Sequence, residues 1–326
     1  MSEVTDALDF VNEVNNKKLS GRRKLLAKAG LFGAAAVGAS LMGSRKSRVA
    51  DAAEAALFKP TGGKGFRVND YDILNFALNL EYLEAAYFSM AALGTRISDG
   101  GSFTGVGTQG TVSGGSKIAF EDPVINRFAD ELAETEMDHV TLLRSVLGAR
   151  AAAIPNINLD AFTAAASAAG VAGTFDAFGG DAQFLVGVFT FEDVGVTAYN
   201  GAAPFISNSK YLAAAASILA VEAMHVGSVR LKLYNYAYIY DTGLITACNQ
   251  ISNLRQTVSA IADPTIPDTE SPLTDTTGVP FFSPTNADSI AFARSFPQVL
   301  NIVYLNSTAS PQPGGFFPSG LNGRIY

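Results

Sequence analysis

Both histidines of this 326-residue chain follow a glutamate at the same distance. Glu136 precedes His139 by three in "LAETEMDHVTLLRSV", and Glu222 precedes His225 by three in "LAVEAMHVGSVRLKL". On an α-helix, positions i and i+3 project from one face, so each pair can address a single centre. A carboxylate with an imidazole is a donor set for first-row transition ions such as iron or manganese. No H-E-x-x-H is present, which removes the zinc-protease reading, and the single Cys248 excludes cysteine-rich metal sites and internal disulfides.

Four helical blocks are needed to position these residues, and the hydrophobic periodicity supplies four. The first covers residues 70–93, apolar nearly all round, with Glu81 and Glu84 one turn apart inside it. The second starts at Pro123 with Asp122 as its cap, and its stripe runs Ile125, Phe128, Leu132, Glu136, His139, Leu143. The third, "DAQFLVGVFTFEDVGVTAYNGAAP", has Leu185, Val188, Glu192, Val196 and Tyr199 on one face, and Pro204 ends it. The fourth, "SKYLAAAASILAVEAMHVGSVRLKLYNY", has Leu212, Ala215, Leu219, Glu222, His225 and Val229. Residues 95–118 read as a Gly/Ser/Thr-rich loop, and residues 149–180 as a crossover long enough to span a bundle.

The acids and imidazoles thus lie on the apolar stripes. An unpaired carboxylate in a core is costly enough to protonate or be avoided, so four stripes that carry one need a shared cause. Two E-x-x-H helices facing two helices with a further glutamate each give four carboxylates and two imidazoles, the donor set of a dimetal four-helix bundle. The expected cofactors are two iron or manganese ions, with oxygen or peroxide as the small molecules such a pair would meet.

"LNFALNLEYLEAAYF", the two E-x-x-H helices, "FEDVGVTAYNGAAP" and the tail "FPQVLNIVYLN…GGFFPSGLNG" together resemble the ferritin-like superfamily, in particular the desiccation-related proteins of bacteria and plants. The resemblance covers roughly residues 68–326. It implies an all-α fold: a ferritin-like four-helix bundle with a long crossover, plus an irregular C-terminal extension with short helices. The ligands it implies here are Glu81, Glu136, His139, Glu192, Glu222 and His225. Glu81 is preferred on the first helix because an aromatic follows at +7, as Tyr199 follows Glu192; Glu84 is the alternative. Asp193 reads as surface or as support behind the ligands, Glu131 and Glu134 as a solvated edge, and Tyr82, Tyr87 and Tyr199 as lying near the centre. Arg144 and Arg230, each five residues after a histidine, either pair with acids near the site or lie on the surface.

Outside the bundle, residues 1–50 hold nine Lys/Arg against four acids, leaving a net −12 on residues 51–326, a surface that repels nucleic acid. Arg22–Arg23 and the Ala/Gly-rich run behind them look like a twin-arginine export signal, too short for a stable membrane span. The expected organisation is a targeting segment at 1–50, a bundle at 65–240 and an extension at 241–326, exported to the periplasm, cell envelope or medium. Phe316, Phe317 and Tyr326 are expected to pack on the bundle or on a second subunit, which keeps a homo-oligomer among the readings. Three functions follow from the resemblance: a dimetal oxidoreductase or metal-handling protein, a dimanganese catalase-like enzyme, or a stress-associated structural protein without catalytic metal.

Overall fold

The computed structural model describes residues 68–326 except 172, 242, 267 and 287; the basic N-terminal segment and its export motif lie outside the described residues. The described chain is built on helices α1 (Asp70–Leu93), α2 (Pro123–Leu147), α3 (Ala161–Ala168), α4 (Asp181–Ala202), α5 (Ser209–Tyr240), α6 (Gly243–Ala262) and α7 (Phe296–Tyr304). Its one two-stranded sheet pairs Val112–Ser113 (β1) in parallel with Ile157–Asn158 (β2).

Local chemistry sets the helix ends. The Asn69 side chain accepts from the N–H groups of Tyr71 and Asp72, and the Asp72 carboxylate accepts from Asn69 N–H, a reciprocal capping box. Gly94, at φ 73°, closes α1 in a left-handed conformation that a Cβ would strain. Asp122 caps α2 and Pro123 occupies its first turn, as the sequence indicates. Asn208 caps α5. Two buried aspartates then tie helix starts together. Asp70 of α1 accepts from Ser207 and Asn208 ahead of α5, and Asp181 of α4 accepts from Glu121 and Asp122 ahead of α2.

These ties define the topology. Ile118, before α2, donates to Ala91 near the end of α1, while Ala152, after α2, donates to Asn75 near the start of α1, so α1 and α2 are antiparallel. Residues 203–208 turn α4 back into α5 as the second antiparallel pair. The connection from α2 to α4 begins beside the start of α1 and ends beside the start of α2, so it runs the length of the bundle, as the composition of residues 149–180 indicates. It holds α3 and β2, which the Ala/Gly-rich sequence does not signal. Helix α5 runs four residues past the end of its sequence pattern, and α6, a 20-residue helix, belongs to no pattern in the reading above.

By length and mean hydropathy (1.6) α5 could cross a membrane, but it buries Glu222, His225 and Arg230 in the bundle, which fits a core wall. Helix α1 is buried on nearly every side. The C-terminal tail packs on the bundle of its own chain. Asn322 exchanges hydrogen bonds with Asn79 of α1, and Phe316 and Phe317 are buried, with Phe316 against Phe162 and Phe191. Tyr326, expected to pack with them, is exposed; the neighbouring Ile325 takes the buried position.

Candidate metal centre

Four helices each bring a fully buried glutamate to the middle of the bundle: Glu81 from α1, Glu136 from α2, Glu192 from α4 and Glu222 from α5. The two imidazoles enter one turn further along α2 and α5. His139 Nδ1 lies 2.9 Å from Glu136 Oε2, 3.1 Å from Glu81 Oε2 and 3.3 Å from Glu222 Oε1. His225 Nδ1 lies 3.1 Å from Glu136 Oε1 and 3.2 Å from Glu192 Oε2. The ring centroids are 6.4 Å apart. All six residues singled out in the sequence therefore converge.

They form two overlapping groups. Donor atoms of Glu81, Glu136, His139 and Glu222 lie within 4.8 Å of one another, as do those of Glu136, Glu192 and His225. Glu136 belongs to both, with one oxygen toward each histidine. Hydrogen bonding alone does not satisfy this arrangement. Glu136 Oε1, Glu192 Oε1 and both oxygens of Glu222 are buried without an aligned donor. Such orphaned acceptors are rare in folded proteins and costly. Cations between the carboxylates and the two Nδ1 atoms would satisfy them together, so the donor set fits a pair of hard or borderline divalent ions.

The protonation pattern reports the same crowding. Burial pushes Glu81 up to about 8, with Glu136 and Glu222 adding to the rise and His139 opposing it. Burial likewise raises Glu84, Glu192 and Glu222. For Glu136 burial also acts upward, but the imidazoles of His139 and His225 outweigh it and hold the carboxyl below its usual range. Burial opposes charging of His139 and His225, yet their carboxylates win and both rings are raised well above the usual histidine value. Apart from Glu136, these buried groups therefore keep their protons to higher pH than usual.

Of the three tyrosines, only Tyr199 touches the cluster, donating a short hydrogen bond to Glu81 Oε1. The Tyr82 hydroxyl donates to Ala152 O and receives Arg144, and the Tyr87 hydroxyl lies against the carbonyls of Ala177 and Phe184. Glu131 and Glu134 are exposed on α2, as expected. Among the described residues Arg144 pairs with no acid; it serves Tyr82 and the carbonyls of Thr104 and Ala152.

Behind α4 lies a network of buried charges, only part of which the sequence indicates. Asp193 is buried and receives a bidentate pair from Arg230 (3.0 and 2.8 Å) and a third bond from Arg255 (3.0 Å). Arg255 continues to Glu270, Glu270 to Arg294, and Arg294 to Asp268. Burial works against the Asp193 charge, but Arg230 and Arg255 outweigh it and lower its pKa. This chain of charges joins α4, α5 and α6 to residues 268–294, so Asp193 braces the helix that carries Glu192. Asp193, beside Glu192, and Arg230, five residues past His225, were its visible signals, and the support role rather than the surface one holds for Asp193; Arg255 and Arg294, in the C-terminal extension, were not singled out.

An all-α bundle of two antiparallel helix pairs joined by a long crossover, with Glu and E-x-x-H residues at its centre, defines a ferritin-like domain. The ferritin-like domain family matches residues 69–235, and the chain belongs to it. Among curated proteins, the chain is 26% identical over 267 residues to Ferritin-like catalase Nec2 of Nesocodon mauritianus, covering 78% of this chain and 84% of that protein. It is 30% identical over 194 residues to Desiccation-related protein PCC13-62 of Craterostigma plantagineum, covering 57% of this chain and 61% of that protein. No solved structure matches the chain.

Proposed function

We propose that the protein holds two iron or manganese ions between Glu81, Glu136, His139, Glu192, Glu222 and His225 and disproportionates hydrogen peroxide there. The observation that carries this reading is the pair of donor groups sharing Glu136, with four carboxylate oxygens left without an aligned donor. A relative named a catalase, aligned over most of both chains, favours peroxide as the substrate. A pair of redox-active ions supplies the electron exchange by which two peroxide molecules become one dioxygen and two waters, with protons conserved.

The chain's own contribution is position and exclusion. Glu136 spans the two groups, Tyr199 fixes the Glu81 carboxylate, and the Asp193–Arg230 pair anchors the helix behind Glu192. The glutamates are fully buried and each histidine is 7% exposed, so only a small molecule reaches the cluster without rearrangement. The proposed compartment is outside the cytoplasm, reached through the twin-arginine segment around Arg22 and Arg23.

Metal content and oxygen release from peroxide test the reading together. Protein purified from its native compartment should hold two ions per chain and release oxygen, and Glu136→Gln should lose both properties. Bound ions without oxygen release, but with oxygen-dependent oxidation of Fe(II), would move the function to metal handling. Absence of any bound ion would return the structural, desiccation-associated reading. Replacing Arg22 and Arg23 by lysine should leave an uncleaved form inside the cell; unaltered export would rule out the twin-arginine route.

A further inference from the structure

The third residue after each cluster glutamate differs among the four long helices. It is His139 on α2 and His225 on α5, but Glu84 on α1 and Gly195 on α4. The repeated helix pairs make Glu84 and Gly195 counterparts, and the structure brings them together. A Cβ added at Gly195 would lie 2.6 Å from Glu222 Oε2 and 3.3 Å from Glu84 Oε1. The first distance is shorter than any ordinary carbon–oxygen contact, so the absence of a side chain at 195 is what lets Glu222 keep its place.

Glu84, offered by the sequence as the alternative to Glu81, is 4% exposed. The charges that act on it most strongly are those of Glu222, Glu81, Glu136 and Glu192, all glutamates of the centre. Beside it, Glu222 is fully buried; its Oε1 lies 3.3 Å from His139 Nδ1, and its Oε2 has no hydrogen-bond partner. The two donor groups are also unequal. One gathers Glu81, Glu136, His139 and Glu222, and the other gathers three residues, Glu136, Glu192 and His225.

On the reading that the cluster holds two ions, we infer that Glu84, whose Oε1 faces the same space over Gly195 as Glu222 Oε2, is a seventh protein ligand of the centre. Gly195 is the complement of Glu84: it clears the space into which both carboxylates extend. Glu84 adds a donor to one of the two ion positions, so its loss weakens that ion and spares the other.

Calorimetric titration of Mn(II) into metal-free protein tests this with Glu84→Gln and Gly195→Ala. Wild type should bind two ions. Glu84→Gln should weaken one of them by at least about tenfold and leave the other unchanged. Gly195→Ala should weaken binding in the same assay, because its methyl displaces Glu222 Oε2. Metal-free Glu84→Gln should melt no lower than wild type, since it removes a carboxyl from among four others, so a binding defect is separable from misfolding. Wild-type protein that binds no ion overturns the metal reading itself. Wild type binding two ions, with Glu84→Gln binding both at unchanged affinity, overturns the role of Glu84 and leaves that reading standing.

Discussion

The Oγ1 of Thr135 lies 3.3 Å from Nε2 of His225, on the side of the ring away from Glu136 and Glu192. The Thr135 hydroxyl proton is already directed to the carbonyl oxygens of Glu131 (2.9 Å) and Leu132 (3.2 Å). Thr135 therefore accepts, and His225 Nε2 is the donor. A neutral His225 ring then presents a bare Nδ1 to the cluster, the tautomer a metal ligand needs. Thr135→Val keeps the shape and removes the acceptor. It should lower Mn(II) or Fe(II) affinity by about 10-fold or more, while Thr135→Ser stays near wild type. Equal affinities in the two variants, measured by calorimetry, would leave Thr135 with packing alone.

Asp193 makes a second prediction. It is buried against Arg230 and Arg255, and removing one partner of a buried ion pair strands the other charge. Asp193→Asn should therefore cost about 3–5 kcal/mol in urea unfolding. Its metal affinity should fall as well, because α4 also carries Glu192. A loss below about 1 kcal/mol, the range of surface pairs, would mean that the network is dispensable.

The pH dependence of the metal-free protein follows from proton uptake by the cluster. Glu81 moves from 4.5 up to about 8 on folding. An acid raised in the folded state contributes stability that is fully present below its unfolded value and is lost as pH rises through the folded one. His139 and His225, also raised, act in the same direction above 6.5. Glu136, which is lowered, opposes them: its contribution is present above 4.5 and is lost as pH falls. Glu84, Glu192 and Glu222 are raised as well and add to the trend, and Glu136 contributes fully throughout this window, so the metal-free melting temperature should fall between pH 5 and about 8, and Glu81→Gln should flatten the slope. Bound metal should reverse the trend, since ligation displaces protons. Calorimetric melts across this range, with and without Mn(II), check the sign; a metal-free curve that rises with pH would contradict it.

A close approach between α1 and α4 gives a packing prediction. A Cβ at Gly187 would fall 2.0 Å from the Tyr87 hydroxyl. Gly187→Ala should destabilise by about 1–3 kcal/mol through overpacking. Adding Tyr87→Phe should recover only part of it, because the ring carbon Cζ would still be 2.6 Å away. Chemical denaturation of the two variants measures the coupling.

The four long helices and the six converging residues were legible in the sequence because helical periodicity and the E-x-x-H spacing are local signals. Glu136 and His139 reveal their shared face within one turn. What remained hidden depends on contacts far apart in sequence. Asp193 sits next to a ligand candidate yet points to Arg255, 62 residues away, and Arg294 reaches Glu270 from a stretch with no periodicity. Gly195 reads as an ordinary weak point in a helix until its facing carboxylates are known. Helix α6 does carry a helical stripe through Cys248, Ile251, Arg255 and Val258, but Ser252, Arg255 and Ser259 dilute its apolar face, so it stands out less than the four long blocks.

The last prediction separates the cluster from the acidic face on the same helix. Glu136 is fully buried and faces both histidines, while Glu134, two residues earlier, is exposed. Ions that bind the folded chain stabilise it by mass action, by about 2.7 kcal/mol at a hundredfold excess over Kd. For a domain of this size that is a rise in melting temperature on the order of 5–10 °C. Glu136→Gln removes a carboxylate shared by both donor groups and should abolish most of that rise for Fe(II) and Mn(II) alike. Glu134→Gln should keep it. Both changes are close to neutral in helix propensity, so their metal-free helix content by circular dichroism should match. If the two variants respond equally to metal, or if neither ion shifts the wild-type midpoint, the buried glutamates serve the fold through their protons and histidines, and the dimetal reading fails.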